Sequence, residues 1–148
     1  MTDHTSGTVV VRARPEVVMG VIADFPAYPD WAGMTTAEVV GENGPDGRAR
    51  LVLFGIDAGF IRDQFVLRYS FDGDDGVSWE LTKPSAMLTK MTGSYLLAGR
   101  DDDTEVTFQL TVGLRVPIIG LLRRKVERAV IGNALSGLKT RAESGLSG

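Results

Sequence analysis

One acidic residue, Asp63, lies in an otherwise apolar phase of a strand-like segment. Residues 62–71 read RDQFVLRYSF, and their alternation places five side chains on one face: Asp63, Phe65, Leu67, Tyr69 and Phe71. A carboxyl group buried among apolar side chains has its ionised form disfavoured, which is one way to obtain a useful acid or base. Asp63 is therefore the candidate catalytic residue. It also lies near a strand end, where it can reach water or pair with Arg62 or Arg68, so a structural role is the alternative.

Histidine and cysteine are scarce, which narrows the chemistry. The single histidine, His4, lies in the polar segment MTDHTSG, and cysteine does not occur. A Ser/His/Asp triad, an HExxH zinc site and thiolate chemistry are therefore excluded, and proton transfer is left to Asp, Glu, Tyr or Lys. The acidic runs at residues 72–75 and 101–103 have the pattern of hairpin turns, because the first lacks the twelve-residue loop and terminal Glu of a calcium site. Neither a metal nor a covalent cofactor is indicated.

The alternation of residues 62–71 recurs further along the chain. In each later segment, large side chains occupy the alternate positions that face the same side. Residues 78–81, 86–97 and 104–114 each have an apolar phase and a more polar one. Together with three positions near the C-terminus, the inward-facing candidates for ligand binding are Phe65, Leu67, Tyr69, Trp79, Met87, Met91, Tyr95, Phe108, Leu122, Val126 and Val130. Met is adaptable, and Tyr and Trp add one hydrogen-bonding tip to an apolar body, so the set suits a pocket. From the residues alone, an ordinary packed core is the simpler interpretation.

These positions depend on a regular order of elements. Residues 8–14 suit a strand, and Pro15 begins a short amphipathic helix that Pro26 ends. Turn signals rich in Gly and Asp then recur at residues 41–47, 71–76 and 99–104. Residues 117–144 change to a period of about 3.6 and predict one long helix. Its apolar stripe comprises Ile119, Leu122, Val126, Val130, Ala134 and Leu138, broadened by Ala129, Ile131 and Leu135.

This order predicts an α+β fold in which an antiparallel sheet curves around the terminal helix. About six strands follow the first one in hairpin order. A flat α+β sandwich is the alternative. The curved sheet is favoured because Gly55, Gly93 and Gly113 fall inside strands, where they permit bending.

Composition fits a single domain spanning residues 1–148, with a flexible tail at 1–7. The chain has 148 residues, is 43% hydrophobic and 24% charged, and contains no stretch near the length of a bilayer span. No segment resembles a signal peptide, so a cytoplasmic location is expected.

Charge is unevenly placed along the chain. Residues 115–148 carry seven Arg or Lys against two acids, whereas residues 1–114 carry nine against seventeen. A basic cluster on the terminal helix comprises Arg123, Arg124, Lys125 and Arg128. It is either a solvated face paired with the acidic body or a transient contact for anionic membrane lipids. Nucleic-acid binding is disfavoured because the whole chain is acidic.

Three segments carry a resemblance to a known superfamily. They are ARPEVVMGVIADFPAYPDW (13–31), GSYLLAGRDDDTEVTFQLTV (93–112) and RVPIIGLLRRKVERAV (115–130). They resemble the START-like superfamily, also called the polyketide cyclase/dehydrase and lipid transport or Bet v 1-like group, and specifically a small bacterial single-domain member. The resemblance implies a helix-grip fold with seven antiparallel strands, two short helices after the first strand, and a large internal cavity. Phe25, Tyr28 and Trp31 would then wedge against the sheet, and the inward-facing set would line the cavity.

The resemblance leaves the activity open, because the superfamily includes carriers, receptors and enzymes. The first hypothesis is a protein that binds or carries a hydrophobic small molecule such as a lipid, quinone or polyketide. The alternative is a metal-free cyclase or dehydratase in which Asp63 and pocket tyrosines guide ring closure. A protein-interaction module with an unused cavity is the third hypothesis. Both a monomer and a homodimer are compatible with the sequence.

Overall fold

The protein is described from a computed structural model covering residues 5–57, 62–115 and 120–144, with the backbone alone at 120–123 and 126. The elements are β1 (Thr5–Val11), α1 (Pro15–Ala23), a 3₁₀ turn (Phe25–Ala27), α2 (Tyr28–Trp31), β2 (Thr36–Val40), β3 (Leu51–Asp57), β4 (Arg62–Asp72), β5 (Gly76–Leu81), β6 (Leu88–Arg100), β7 (Asp103–Leu114) and α3 (Gly120–Ser144). β1 begins at Thr5, so residues 5–7 of the predicted 1–7 tail belong to the sheet. Residues 117–119 of the predicted terminal helix, and His4, lie outside the described residues.

The seven strands form one antiparallel sheet in the order β1-β7-β6-β5-β4-β3-β2. Consecutive strands from β2 to β7 are hairpin neighbours, and β1 pairs with β7 to form the opposite edge, with Gly7 facing Phe108. The predicted curved sheet with short helices after the first strand is therefore confirmed. Its inner, concave face carries the apolar phase of every strand, and α3 packs along β1 and β7 on that face.

The short helices follow the predicted signals. Pro15 begins α1, and the acidic Glu16 in its first turn complements the helix dipole. The helix ends at Ala23, two residues earlier than expected, because the chain turns into a 3₁₀ turn that contains Pro26. Phe25 and Tyr28 are buried, and the Tyr28 hydroxyl donates a hydrogen bond to the Ile22 carbonyl. The aromatic connector thus fastens α1 to α2 and to the sheet.

The buried face of α3 differs from the predicted stripe. Its buried positions among the described side chains are Glu127, Ile131, Ala134, Leu135, Leu138 and Ala142. Val130, predicted to line the cavity, is 45% exposed, and Ala129 is also exposed. The prediction was wrong there because it centred the stripe on apolar residues alone, whereas the charged Glu127 occupies a core-facing position one residue after Val126. Counting from Glu127, the positions 131, 134, 138 and 142 follow at helical spacing.

A bulge in β6 changes the phase of one further candidate. Leu88 pairs with Leu114 and Lys90 pairs with Gly113, so one extra residue lies between them. Met91 keeps the inward phase, but Leu88 is the buried residue at the start of the strand instead of Met87. Met87 is half-buried and lies just before β6, so the strand begins after the position predicted for it.

Candidate functional site

Aromatic side chains form one continuous cluster on the concave face. Each ring in it has a neighbour with centroids 4.6–6.4 Å apart. The members are Phe25, Tyr28, Trp31, Phe54, Phe65, Tyr69, Phe71, Trp79, Tyr95 and Phe108. Every aromatic residue of the chain belongs to it except Phe60, which lies outside the described residues. The interior therefore concentrates flat, polarisable surface that packs well against unsaturated or aromatic groups.

Four rings on neighbouring strands form the centre of this aromatic cluster. Tyr69 on β4 pairs with Trp79 on β5, and their ring centroids are 5.6 Å apart. Trp79 lies 5.4 Å from Tyr95 on β6, and Tyr95 lies 4.6 Å from Phe108 on β7 in an edge-to-face arrangement. Alternation in four successive strands thus produces one row of rings across the sheet.

Gly93 makes room for the Trp79 ring. Gly93 is the β6 partner of Trp79, and a Cβ atom at this position would lie 2.4 Å from the indole Cζ2. Any larger residue would push the indole off the sheet. Gly93 was predicted to permit bending, and the structure shows that it also lets Trp79 lie flat over the neighbouring strand.

Three tyrosine hydroxyls lie in this buried region. Burial raises the pKa of Tyr69, Tyr95 and Tyr28 well above that of a free phenol. The pKa of Tyr28 is raised further by Tyr69 and then Tyr95, so the three phenol groups influence one another electrostatically. All three are therefore neutral hydrogen-bond donors at neutral pH.

The three hydroxyls differ in what they bind. Tyr28 donates to Ile22, whereas the hydroxyls of Tyr69 and Tyr95 form no hydrogen bond with the described part of the chain. Among the described residues, the indole nitrogen Nε1 of Trp31 is the one fully buried side-chain nitrogen or oxygen without a partner, so the oxygens of Tyr69 and Tyr95 keep access to a water-sized space. Leaving such a group unsatisfied costs about 1–3 kcal/mol. Donors without acceptors inside an apolar, ring-lined region are what a ligand with an oxygen acceptor would satisfy.

The sheet residues predicted for the binding set share the concave face. Those buried there are Phe65, Leu67, Tyr69, Trp79, Tyr95 and Phe108. Met91 is half-buried on the same face and packs against this core. The side chains of Leu122 and Val126 lie outside the described residues, and Val130 points away to solvent. The sheet part of the set is thus brought together, while its helical part is not supported at Val130.

Asp63 is buried, as its strand phase predicted, but its carboxylate is already occupied. Oδ2 accepts hydrogen bonds from the Ser85 hydroxyl at 2.6 Å and the Met87 amide at 3.1 Å, and Oδ1 accepts one from the Gln64 amide at 2.9 Å. These donors belong to β4 and to the segment between β5 and β6. The pairing with Arg62 or Arg68 that the sequence suggested does not occur, because these arginines pair with Asp57 and Glu80. Asp63 therefore holds the β5–β6 connector.

Glu127 is the buried acidic residue that the sequence analysis missed. It is 1% exposed, and its two oxygens accept hydrogen bonds from the Thr5 hydroxyl at 2.7 Å and from the Val112 amide at 2.8 Å. β1 begins at Thr5, opposite Leu110, so no β1 residue pairs with Val112. The carboxylate of α3 therefore takes the place of a strand partner. A charged residue following an apolar helical position is ordinarily read as exposed, so no sequence signal distinguished it.

The basic cluster on α3 is partly described. Arg124, Lys125 and Arg128 are exposed, and the side chain of Arg123 lies outside the described residues. Contact with an anionic membrane stays a prediction. A search of the described residues finds no helix long and apolar enough to cross a bilayer.

A recess of about 470 Å³ opens at the border of the sheet, where β2, β3 and β4 meet. It is lined by the backbone of Gly55 and by mostly polar side chains, among them Thr35, Thr36 and Gln64. Asp63 borders it, but three donors already hold its carboxylate. Unlike the aromatic cluster, the recess has no aromatic ring among its lining residues.

Comparison with known proteins gives the class defined by this fold and site. The family model described as polyketide cyclase / dehydrase and lipid transport matches residues 2–143, so the chain belongs to that family. No curated protein matches the sequence.

Solved structures of this class share the fold at low sequence identity. A START superfamily protein from Mycobacterium smegmatis aligns with a TM-score of 0.86 and 20% identity, covering 95% of this chain and 97% of its own. The Zhui aromatase/cyclase from Streptomyces sp. R1128 aligns with a TM-score of 0.78 and 18% identity, covering 97% and 94%. The protein TTHA0849 from Thermus thermophilus aligns at 0.76 and 19%, covering 97% and 99%. These likenesses establish the helix-grip architecture.

Proposed function

We propose that the protein binds a hydrophobic small molecule against the concave aromatic face and carries or sequesters it without transforming it. The observation that supports this most directly is the pair of buried tyrosines, Tyr69 and Tyr95, whose hydroxyls have no hydrogen-bond acceptor in the described protein. The ligand supplies that acceptor, and the rings around it supply the apolar contact area.

The chemistry of the region defines the ligand class. A neutral phenol donates to a carbonyl, ether or hydroxyl oxygen, and it does not neutralise an anion. No Lys or Arg is among the buried described residues, so a fully buried anionic group would be left unpaired there. The ligand is therefore uncharged where it is buried and carries at least one acceptor oxygen. Quinones and polyketides have both properties, and their flat conjugated rings match the aromatic row better than a saturated acyl chain does.

Catalysis by Asp63 is not part of this proposal. A general acid or base must exchange a proton with the substrate, and the Asp63 carboxylate is held by three protein donors at the border of the sheet. Glu127 is likewise held by two donors beneath α3. Ligand binding with no turnover is consistent with both acids being structural.

The first experiment identifies the natural ligand. The protein is purified from its native host, and native mass spectrometry followed by solvent extraction identifies the molecule that remains bound. A stoichiometric quinone, polyketide or lipid supports the proposal. A protein that is empty, and still empty after challenge with such ligands, favours an interaction module with an unused interior.

A second experiment tests the two hydroxyls directly. Binding of 2-methyl-1,4-naphthoquinone is followed by quenching of tryptophan fluorescence, since Trp79 touches both tyrosine rings. Tyr69→Phe and Tyr95→Phe should each weaken binding about 5- to 10-fold, the value of one hydrogen bond of about 1 kcal/mol. Tyr28→Phe is the matched control, because its hydroxyl already has a protein acceptor. Equal affinities in all three variants would overturn the assignment.

An Asp63→Asn variant separates carriage from catalysis. A carrier keeps its ligand affinity and has no turnover to lose. Conversion of the extracted ligand by the unaltered protein, together with its loss in Asp63→Asn, would establish an enzyme instead.

A further inference from the structure

A second candidate site lies outside the aromatic interior, where the edge strand β1 meets the terminal helix. A groove of about 460 Å³ runs between them. One wall is the β1 segment from Ser6 to Val9, and the other wall is an α3 face that comprises Arg128, Ile131, Gly132, Leu135, Ser136 and Lys139. We refer to this space as the β1–α3 groove.

The N-terminal half of β1 has backbone groups without partners among the described residues. In an antiparallel pair, alternate residues turn both their N–H and C=O groups away from the neighbouring strand. On β1 the outward-turned positions are the even ones, because the Val10 carbonyl and the Arg12 amide bond to side chains of α3. Ser6 and Thr8 are even positions that face the groove, and their backbone groups have no partner within the described residues. An edge of this kind accepts another extended segment.

At the C-terminal end of β1, side chains of α3 occupy the outward-turned backbone groups. Lys139 Nζ donates to the Val10 carbonyl at 2.9 Å, and the Arg12 amide donates to Glu143 at 2.9 Å. Lys139 and Glu143 also bond to each other at 2.6 Å, and these hydrogen bonds lower the pKa of Glu143. The protein therefore blocks one half of its edge strand with charged side chains and leaves the other half open.

Gly132 leaves room beside the open half. A Cβ atom at this position would meet no atom within 4 Å. Glycine inside a helix costs about 1 kcal/mol relative to alanine, and here no contact within the described protein requires it. The empty volume over Gly132 instead admits a side chain of an incoming segment.

The charge of the groove selects the partner. Arg128 is exposed at one end and has no acidic partner among the described residues, whereas Lys139 at the other end is already paired with Glu143. These residues are separated by 11 positions on one helix, or about 16 Å, which about five extended residues span. No carboxylate of the described residues lines the groove.

We propose that the β1–α3 groove binds an extended acidic peptide segment of a partner protein as an eighth strand of the sheet. The segment pairs with the backbone of Ser6 and Thr8, places one side chain over Gly132, and directs a carboxylate to Arg128. A second copy of this chain that presented the same edge fits the groove less well, because no acidic residue lines the groove and Arg128 would be left without a carboxylate.

The test uses a pool of acetylated and amidated pentapeptides that carry Asp or Glu at either end and vary in the middle. Binding is followed by amide chemical shifts and by hydrogen exchange of Ser6 and Thr8. The acidic pool should perturb and protect these two amides at millimolar concentration or below, and a matched lysine-ended pool should not. Raising the salt concentration from about 50 to about 300 mM should weaken binding severalfold.

Variants separate the groove from general charge and from folding. Arg128→Gln should weaken the acidic pool about tenfold, the effect of an ion-paired hydrogen bond. Lys125→Gln is the control, because it removes the same charge from the same helix outside the groove lining. Gly132→Leu should fill the open space and abolish binding while making the protein more stable, since leucine favours the helix.

Several outcomes would overturn the proposal. These are unperturbed Ser6 and Thr8 amides, equal losses in Arg128→Gln and Lys125→Gln, and inorganic phosphate competing as well as the peptide. A dimer that Gly132→Leu converts to a monomer would assign the groove to a second copy instead. None of these results depends on the interior ligand, so the proposed function is tested separately.

Discussion

Two carboxylates are buried among the described residues. They accept hydrogen bonds from residues at very different separations along the chain. Asp63 bonds to Gln64, its neighbour, and to Ser85 and Met87 in the following connector. Glu127 bonds to Thr5, which is 122 positions away, and to Val112 on β7. Asp63 is 7% exposed at the sheet border, and Glu127 is 1% exposed under the helix.

The different surroundings of Asp63 and Glu127 indicate how much the stability of the fold depends on each carboxylate. The donors around Asp63 lie next to exposed residues such as Ala86, so water can replace the carboxylate. The Val112 amide that donates to Glu127 is buried where the helix covers the sheet, so water cannot easily reach it, while the Thr5 hydroxyl is partly buried. Loss of Asp63 should therefore loosen one connector, whereas loss of Glu127 should release α3 from β1 and β7.

The largest expected effect is a loss of stability at alkaline pH. It concerns the three buried tyrosines of the interior rather than the two carboxylates. The native pKa values of Tyr28, Tyr69 and Tyr95 are raised, so their stabilising contribution is complete below the unfolded pKa of about 10 and is lost as pH rises above it. Three phenols that all stay protonated in the native state lower the free energy of unfolding by about 4 kcal/mol in total between about pH 8 and pH 11, and most of this loss falls above about pH 10.

Urea unfolding monitored between about pH 8 and pH 11 measures this loss. Tyr95→Phe should reduce it by about one third, because one of the three titrating groups is removed. A free energy of unfolding that stays constant over that range would show that the phenols are not buried.

The next effect is the loss of Glu127. Glu127→Ala should lower the free energy of unfolding by about 3–4 kcal/mol, since the Thr5 hydroxyl and Val112 amide lose a charged acceptor in a buried place. Urea unfolding measures the loss, and hydrogen exchange of the Val112 amide should accelerate to the same degree. Exchange that stays slow at Val112 would mean that another group replaces the carboxylate.

Asp63 should matter less. Asp63→Ala should cost about 1–2 kcal/mol, because its donors lie at the border and regain hydrogen bonds with water. Hydrogen exchange should increase at Gln64 and Met87 and stay unchanged at Val112. A loss as large as that of Glu127→Ala would contradict the distinction between the two regions.

The smallest effect belongs to Ser85. Its hydroxyl donates to Asp63 and accepts from the Leu88 amide. Ser85→Ala should cost about 1 kcal/mol in urea unfolding, and in combination with Asp63→Ala the two losses should not add. Additive losses would show that the serine and the carboxylate act independently.

Sequence patterns predicted the sheet well because strand alternation has a period of two and a buried face reads directly from it. Tyr69, Trp79, Tyr95 and Phe108 were placed correctly by that rule. It placed Met87 inside a strand that begins at Leu88, and it did not predict the bulge between Leu88 and Lys90, which no sequence signal announces.

On the helix the prediction failed for a different reason. The predicted stripe included apolar residues only, so it could not contain the core-facing Glu127. As a result, Val130 was wrongly predicted to face inward. Hydrogen-bond partners far apart in the chain, such as Thr5 and Glu127, follow from tertiary contact and not from local pattern. The unpartnered hydroxyls of Tyr69 and Tyr95 were also visible only in three dimensions.

The aromatic row gives the protein an optical property of its own. All three tyrosines and both tryptophans belong to a single cluster, with Tyr28 4.8 Å from Trp31 and Trp79 within 5.6 Å of Tyr69. Light absorbed by any of these tyrosines passes to a tryptophan by energy transfer over such short distances. Near-ultraviolet emission therefore originates in this one cluster, and the protein reports the arrival of an absorbing guest there without an added dye.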